Sequence, residues 1–125
     1  MIHLDTNALI SLPAWAREGH PIIQRIAAGE PAAVSTVVWY EFVTGPVEAH
    51  EVRLALGIIA QRIVAVQRRD AELAARLFNQ AGRKRGLKTD ALIAASAIHA
   101  DADFVTLNVD DFAPFRSAGL RLVAP

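Results

Sequence analysis

The sequence predicts an α/β protein, a three-layer α/β/α sandwich with a mainly parallel central sheet. Short runs of apolar and β-branched residues alternate with longer amphipathic segments along the whole chain. That alternation is typical of parallel strands joined by crossover helices, which cover both faces of the sheet. Apolar residues make up 53% of the 125 residues, enough for a substantial core. We therefore expect residues 1–125 to form one domain of this class.

In the first half of the chain, strands and helices are predicted from apolar spacing and from turn residues. Ile2–Leu4 is a short apolar run and indicates a strand. A helix is predicted over Pro13–Ala28, because isoleucines recur there at helical spacing, and Gly29 follows as its C-cap. Ala32–Val34 indicates a second strand. Val37–Thr44 is predicted to be helical up to a Gly-Pro pair that stops it.

The second half continues the alternation. Val47–Ile59 is amphipathic and predicts a helix, and the β-branched run Ile63–Val66 predicts a strand. The next helix is predicted over Asp70–Arg85, with the aspartate as N-cap and Gly86 closing it. An alanine-rich helix is predicted to open at Thr89 or Asp90 and to run to Ala100. The last two predicted elements are strands, Phe104–Leu107 and Leu120–Val123.

Composition limits the classes of function that the chain can have. Thirteen basic and thirteen acidic residues give zero net charge, so any phosphate-binding surface must be local. The absence of cysteine excludes thiol nucleophiles and cysteine zinc sites, and it fits a cytoplasmic protein. No signal peptide or membrane-spanning run is visible, so no membrane partner is expected. The high apolar content at zero net charge suggests a partly apolar surface and self-association.

Three carboxylates stand at positions where chemistry is expected. Asp5 directly follows the first strand, at the edge of the sheet where ligands bind. Glu41 lies within an almost wholly apolar helix with no cation one turn away, where burial is costly without a partner or a metal. Asp90 opens the alanine-rich helix. Each also has a structural interpretation: an N-cap for the two aspartates and an exposed stripe for the glutamate.

A fourth polar group follows the strand that contains Thr106. Asn108, Asp110 and Asp111 come directly after this strand, and turn chemistry is the structural alternative for them. Three carboxylates at one edge of a sheet would repel one another, by about 3 kcal/mol for a pair ~5 Å apart at an effective dielectric of ~20. A divalent cation would relieve that repulsion. All-oxygen ligands favour Mg²⁺ or Mn²⁺.

Four motifs resemble those of one known family. In chain order they are Leu4-Asp5-Thr6-Asn7, Ser35 followed by Glu41, Asp90-Ala91-Leu92-Ile93-Ala94-Ala95, and Thr106-Leu107-Asn108 before Asp111-Phe112. Together they resemble the PIN-domain nucleases. Among these, the bacterial VapC-type toxins of toxin–antitoxin pairs, including FitB-like members, are similar in length and layout. The resemblance spans essentially the whole chain.

The resemblance implies metal-dependent cleavage of RNA phosphodiesters, with Mg²⁺ or Mn²⁺ held by Asp5, Asp90 and Glu41. It implies a small antitoxin partner and a homodimer. Many members of the family carry a fourth acid where this chain has Asn108, so Asp111 is the candidate to complete the catalytic carboxylates. Thr106 matches a hydroxyl near the metal. Supporting roles are therefore expected for Asn7, Thr106 and Asn108.

The remaining assignments concern RNA and alternative functions. Cations just before Asp90 are candidates for contacts to RNA phosphates, and the alternative for them is a solvated helix C-terminus. These cations are Arg83, Lys84, Arg85 and Lys88. A phosphorylatable receiver domain is disfavoured because an acidic pair after the first strand and a late lysine are missing. A PIN-like binding module without catalysis remains an alternative because of Asn108.

Overall fold

The centre of the molecule is a five-stranded sheet in which every pair of neighbouring strands is parallel. The computed structural model describes all residues, Met1–Pro125. The strands are β1 (Ile2–Leu4), β2 (Ala32–Ser35), β3 (Ile63–Val64), β4 (Asp103–Val105) and β5 (Arg121–Val123). Their order across the sheet is β3-β2-β1-β4-β5. Because β1 and β2 are buried at every residue, both faces of the sheet are covered, as predicted.

Seven α-helices accompany the sheet. They are α1 (Thr6–Glu18), α2 (Pro21–Ala27), α3 (Thr36–Thr44), α4 (Ala49–Ile58), α5 (Arg68–Gln80), α6 (Lys88–His99) and α7 (Val109–Phe112). The first helix, α1, packs with α2, α3 and α4, while α5 lies along α6. Four alanines of α6 are fully buried, and their small side chains let this helix lie directly against β2 and β4. The start of α6 is thereby held close to the carboxyl edge of the sheet.

The first helix differs from its predicted bounds of 13–28, which were wrong. It begins at Thr6, because the side chain of Asp5 accepts a hydrogen bond from the Thr6 N–H and caps the helix. The helix continues through Pro13 and ends at Gly19, whose φ of 67° requires the left-handed region that glycine adopts freely. A second helix, α2, then starts at Pro21, a favoured first position.

The region around α5 also corrects the sequence analysis. Gln67, not Asp70, is the N-cap, and Asp70 accepts a hydrogen bond from the Gln67 N–H at 2.8 Å from inside the first turn. The helix ends at Gln80 instead of Arg85, and Gly86 lies in a short 3-10 turn, so it does not close the helix. The cations that follow therefore lie in a connecting loop. They are not at a helix C-terminus.

Two strands end earlier than predicted, after Val64 and Val105. Thr106, which was placed inside a strand, leaves the sheet and uses its hydroxyl to bond the side chain of Asp5. Among the aromatic residues, Trp15 is buried and Trp39 packs partly against the core, but Tyr40 is 70% exposed. None of the helices is both long enough and apolar enough to cross a membrane.

Candidate active site

Asp5 lies at the carboxyl end of the central strand and is held by three hydrogen bonds. Its backbone N–H donates to the carbonyl of Val105 at 2.9 Å, which continues the pairing of β1 with β4. Oδ1 accepts from the Thr6 N–H at 2.9 Å, and Oδ2 accepts from the Thr106 hydroxyl at 2.7 Å. Only 5% of the residue is exposed. The carboxylate therefore caps α1 and also occupies the edge of the sheet, so the two interpretations of Asp5 are compatible.

Burial raises the pKa of Asp5 above its usual range, and the negative charges of Glu41 and Asp111 raise it further. The hydrogen bonds from Thr106 and Thr6 oppose this effect because they stabilise the ionised form. An ionised Asp5 is thus supported by two donors but surrounded by like charge. Such a group gains from a nearby cation.

Glu41 of α3 lies at the same edge of the sheet as Asp5, where it contacts Thr6. It is half-buried, and its Oε1 accepts a hydrogen bond from the Thr6 hydroxyl at 2.6 Å. No lysine or arginine lies within 4.0 Å of the carboxylate, so a threonine and not a cation holds it. Packing of α1 against α3 brings these two residues together.

Thr6 contacts two of the candidate carboxylates, and the sequence analysis did not single it out. Its N–H donates to Asp5, and its hydroxyl donates to Glu41. The position directly after Asp5, in the first turn of a helix that starts there, was the available signal. It went unused because the helix was predicted to begin later. Thr6 therefore fixes the relative positions of the carboxylates of β1 and α3.

Asp90 stands in the first turn of α6 and accepts no hydrogen bond from the protein. The helix begins at Lys88, with Leu87 as N-cap, so Asp90 does not cap it as one interpretation held. Burial raises the pKa of Asp90 to about 6, and the charges of Asp5, Asp111 and Glu41 add to the effect. The structure thus brings four carboxylates close enough to repel one another.

The fourth carboxylate is supplied by α7. Asp111 perturbs the pKa of both Asp5 and Asp90, whereas the neighbouring Asp110 perturbs neither. Asn108 precedes this helix; it is exposed, and its side chain forms no capping hydrogen bond. The turn before it is held by Asn7, whose Oδ1 accepts from the Leu107 N–H at 3.1 Å. The Asn108 N–H donates to the Thr106 hydroxyl at 3.0 Å, which keeps that hydroxyl aimed at Asp5.

The donor set at this edge fits a hard divalent cation. All the side chains are oxygen donors, and Asp90 and the second oxygen of Glu41 have no protein partner. No three of these carboxylates have oxygens that all lie within 4.8 Å of one another; the one group in the chain that meets this criterion is Glu48, His50 and Glu51. That group is exposed, and the capping box of α4 accounts for its two glutamates.

The four candidate RNA-binding cations are exposed and lie between α5 and Asp90. Arg83 adopts a positive φ of 60° and lies over the ring of Phe78, 5.2 Å from its centroid. Lys88 is the first residue of α6, two positions before Asp90. None of these four, Arg83, Lys84, Arg85 and Lys88, has a carboxylate within 4.0 Å.

Comparisons with known proteins match the chain to one family and to solved structures of the same fold. The sequence profile of the PIN domain family matches residues 2–116. A toxin–antitoxin complex from Klebsiella pneumoniae contains a chain that is 26% identical, with a TM-score of 0.71 over 98% of this chain and 96% of that one. VapBC2 from Rickettsia felis, bound to a DNA fragment of its promoter, is 25% identical, with a TM-score of 0.67 over 100% and 99%. FitAcB from Neisseria gonorrhoeae, at 21% identity and a TM-score of 0.66 over 98% and 96%, shares the fold. No curated protein matches the sequence.

Proposed function

Because this chain belongs to the PIN domain family, whose profile matches residues 2–116, we propose that it is a Mg²⁺- or Mn²⁺-dependent endoribonuclease. We propose further that it acts in the cytoplasm as the toxin of a toxin–antitoxin pair. The observation that carries the proposal is the meeting of Asp5, Glu41, Asp90 and Asp111 at the carboxyl edge of the sheet. The fold match to chains of toxin–antitoxin complexes at 25% and 26% identity supports the second part.

In this proposal Asp5, Asp90 and Glu41 hold the metal ion. Bound there, the ion would supply a water of lowered pKa as the nucleophile and positive charge beside the scissile phosphate. The hydrogen bonds from Thr6 and Thr106 keep the Asp5 oxygens in one orientation, so little reorganisation is needed during the reaction.

Proton transfer is assigned to a carboxylate that is not fully engaged. Glu41 uses Oε1 to accept the Thr6 hydrogen bond, which leaves Oε2 free to take the proton of the attacking water. Asp111 is the alternative proton acceptor, because it is exposed at the rim of the cluster. The exposed cations from Arg83 to Lys88, which precede Asp90 in the chain, would bind phosphates of the RNA strand.

A cleavage assay on mixed RNA tests the proposal. We expect cleavage with Mg²⁺ or Mn²⁺ and none with EDTA, and Asp90→Asn should reduce the rate by at least 100-fold, roughly the effect of losing a charged transition-state contact. Asp110→Asn is the matched control, because it removes the same charge from an exposed position outside the cluster. Equal activity of Asp90→Asn and wild type would contradict the proposed site.

A second candidate function is an RNA-binding module without catalysis. It is favoured by Asn108, which stands where an acidic residue is common in the family and which brings no charge to the site. Retained RNA binding without cleavage at any Mg²⁺ or Mn²⁺ concentration would support this alternative over the nuclease.

The proposed antitoxin has a suitable surface in a groove between α1, α3 and α4. The groove has a volume of about 290 Å³, and its lining is mostly apolar, with Glu41 and Glu51 as its charged residues. A helix with an apolar face and a basic residue would match this chemistry. We expect the product of a small gene next to the gene for this chain to co-purify with the chain. Ile10→Glu, a change at an exposed residue lining the groove, should abolish the co-purification.

A further inference from the structure

The positive charge of the molecule is concentrated in one segment. Residues 68–88 contain seven arginines and lysines against two acidic residues, a net charge of +5, so the rest of this neutral chain carries −5. Only one of the seven, Arg68, has a carboxylate partner within 4.0 Å. Outside the segment, Arg25 and Arg121 are paired, and the other four arginines are unpaired but scattered along the chain. Four of the unpaired cations, at positions 83, 84, 85 and 88, follow one another around the start of α6 and form a local surface for a polyanion in a protein whose net charge does not suggest one.

A groove between α5 and α6 lies within this surface. It has a volume of about 360 Å³, and cations stand among its lining residues, Arg83 from the loop and Lys88 from the start of α6. Its α5 side is made mainly of small alanines, including Ala75, and its other apolar walls are Phe78 and Leu92. A flat, mostly apolar group attached to an anion would match such a lining. A nucleobase with its phosphate is a group of this kind.

Single-stranded RNA fits the groove better than duplex RNA does. In a duplex the bases are stacked inside the helix, and only a base that is free of its neighbours can enter a groove of this size. The guanidinium of Arg83 lies over the ring of Phe78, 5.2 Å from its centroid, so its outer face offers a planar cationic surface and the ring offers its edge to an unstacked base. Lys88 lines the groove and lies two residues before Asp90, so the groove and the carboxylate cluster both include residues from the first turn of α6.

We infer that the α5–α6 groove is a binding subsite for one unstacked nucleotide of the single-stranded RNA substrate. The base packs against Phe78, Leu92 and the alanines of α5. The adjoining phosphates pair with Arg83 and Lys88. This inference rests on the proposed function for the identity of the substrate, and it adds a base-binding site to the phosphate contacts proposed above.

The charge part of the subsite is tested by RNA binding in EDTA, where no cleavage occurs. The probe is a fluorescein-labelled oligouridylate, and the measurement is fluorescence anisotropy over a range of salt concentrations. Each phosphate contact to single-stranded nucleic acid contributes about 0.7 to the slope of log K against log salt. Replacing Arg83 and Lys88 together by glutamine should therefore lower the slope by about 1.4 and weaken binding about 25-fold at ~0.1 M salt.

Arg69→Gln with Arg76→Gln is the matched control. These two arginines lie in the same segment and have no carboxylate partner, but they share another face of α5 and do not line the groove. The control removes the same charge and should leave the slope nearly unchanged. Equal losses of RNA affinity in the two double variants would mean that the RNA responds only to the total positive charge of residues 68–88. This result would overturn the subsite.

The base part of the subsite is tested by filling the groove. Ala75→Leu places a larger side chain at an exposed position that lines it. This variant should bind oligouridylate at least fivefold more weakly and should bind an abasic ribose-phosphate oligomer as wild type does. An unchanged affinity for oligouridylate would overturn the inference. If Ala75→Leu proves to be unfolded by circular dichroism, Ala71→Leu, at another exposed position that lines the groove, takes its place with the same expected result.

Failure of the subsite and failure of the proposed function give different results. Metal-dependent RNA cleavage together with unaltered binding by the groove variants would overturn the subsite and leave the nuclease standing. The expected changes in binding without any cleavage would overturn the nuclease and leave the subsite standing. Preferential binding of a double-stranded probe would contradict the subsite, because paired bases cannot enter the groove.

Discussion

The strongest test of the carboxylate cluster is the stability of an Asp90→Asn variant without metal. In the wild type, burial and three neighbouring carboxylates raise the pKa of Asp90 from 3.8 to about 6. The unfolded chain has no such environment, so between these values the native state holds a proton that the unfolded state has lost. The native state then binds more protons, and its stability must fall as pH rises through this window. Asparagine cannot ionise, and the variant therefore escapes this loss.

The magnitude follows from the two pKa values. The difference between 3.8 and about 6 corresponds to at most about 3 kcal/mol, at about 1.4 kcal/mol for each tenfold change in the ionisation constant. Because Asp90 is only half-buried, screening by solvent reduces this value to about 1.5 kcal/mol. Near pH 7.5 this value of about 1.5 kcal/mol applies in full, whereas near pH 4.5 the linkage relation leaves about a third of it, roughly 0.5 kcal/mol. In EDTA, Asp90→Asn should thus be more stable than wild type by about 1.5 kcal/mol at pH 7.5, a Tm increase of roughly 5 °C for a chain of this length.

Urea and thermal unfolding in EDTA at the two pH values would measure this effect. Asp110→Asn is the control, because it removes one negative charge next to the cluster without belonging to it. Saturating Mg²⁺ or Mn²⁺ should stabilise the wild type and reduce the advantage of Asp90→Asn, since a ligand of the native state stabilises by mass action. If Asp90→Asn is no more stable in EDTA than Asp110→Asn, the carboxylates do not repel one another as argued and the metal site loses its physical basis.

Four further predictions address other residues of the site and the exposed face of α3. Thr6→Val should raise the Mn²⁺ concentration for half-maximal cleavage about tenfold, while Thr6→Ser, which keeps the hydroxyl bonded to Glu41, should restore it; equal behaviour of the two variants would remove the positioning role. Asp111→Asn should slow cleavage more than the matching change at Asp110, and Asn108→Asp should tighten the binding of a second metal ion, measured by calorimetry. Sedimentation at micromolar concentration should show a dimer that Tyr40→Glu converts to monomer, because Tyr40 is 70% exposed on α3; a monomeric wild type would exclude this interface.

The alternation of strands and helices could be predicted because each element has a local signal. The start of α1 could not be predicted, because it depends on a hydrogen bond from the Thr6 N–H to the Asp5 side chain. The sequence is equally compatible with an Asx-turn at this position. Pro13 is a residue typical of the first position of a helix, yet it lies within α1. A proline inside a helix is disfavoured on its own and is tolerated where packing on both sides holds the helix.

The candidate site was predictable as a set of carboxylates but not as a geometry. Asp5 and Asp90 stand at the ends of elements, and parallel topology sends those ends to one edge of the sheet. The contact between Thr6 and Glu41 spans 35 residues and depends on how α1 packs on α3, for which the sequence has no local signal. The choice of Asp111 over Asp110 likewise depends on how α7 turns against α6.

The central position of β1 has a consequence for how the chain is synthesised. During synthesis β1 must wait for β4, about a hundred residues later in the chain, before its second edge is paired and Thr106 can bond Asp5. Contacts so distant in sequence form slowly. A nascent chain therefore lacks an assembled carboxylate cluster until β4 and α7 have been translated. The proposed nuclease would be unable to attack the messenger and ribosome that are producing it, and a partner protein would have the whole time of translation in which to meet it.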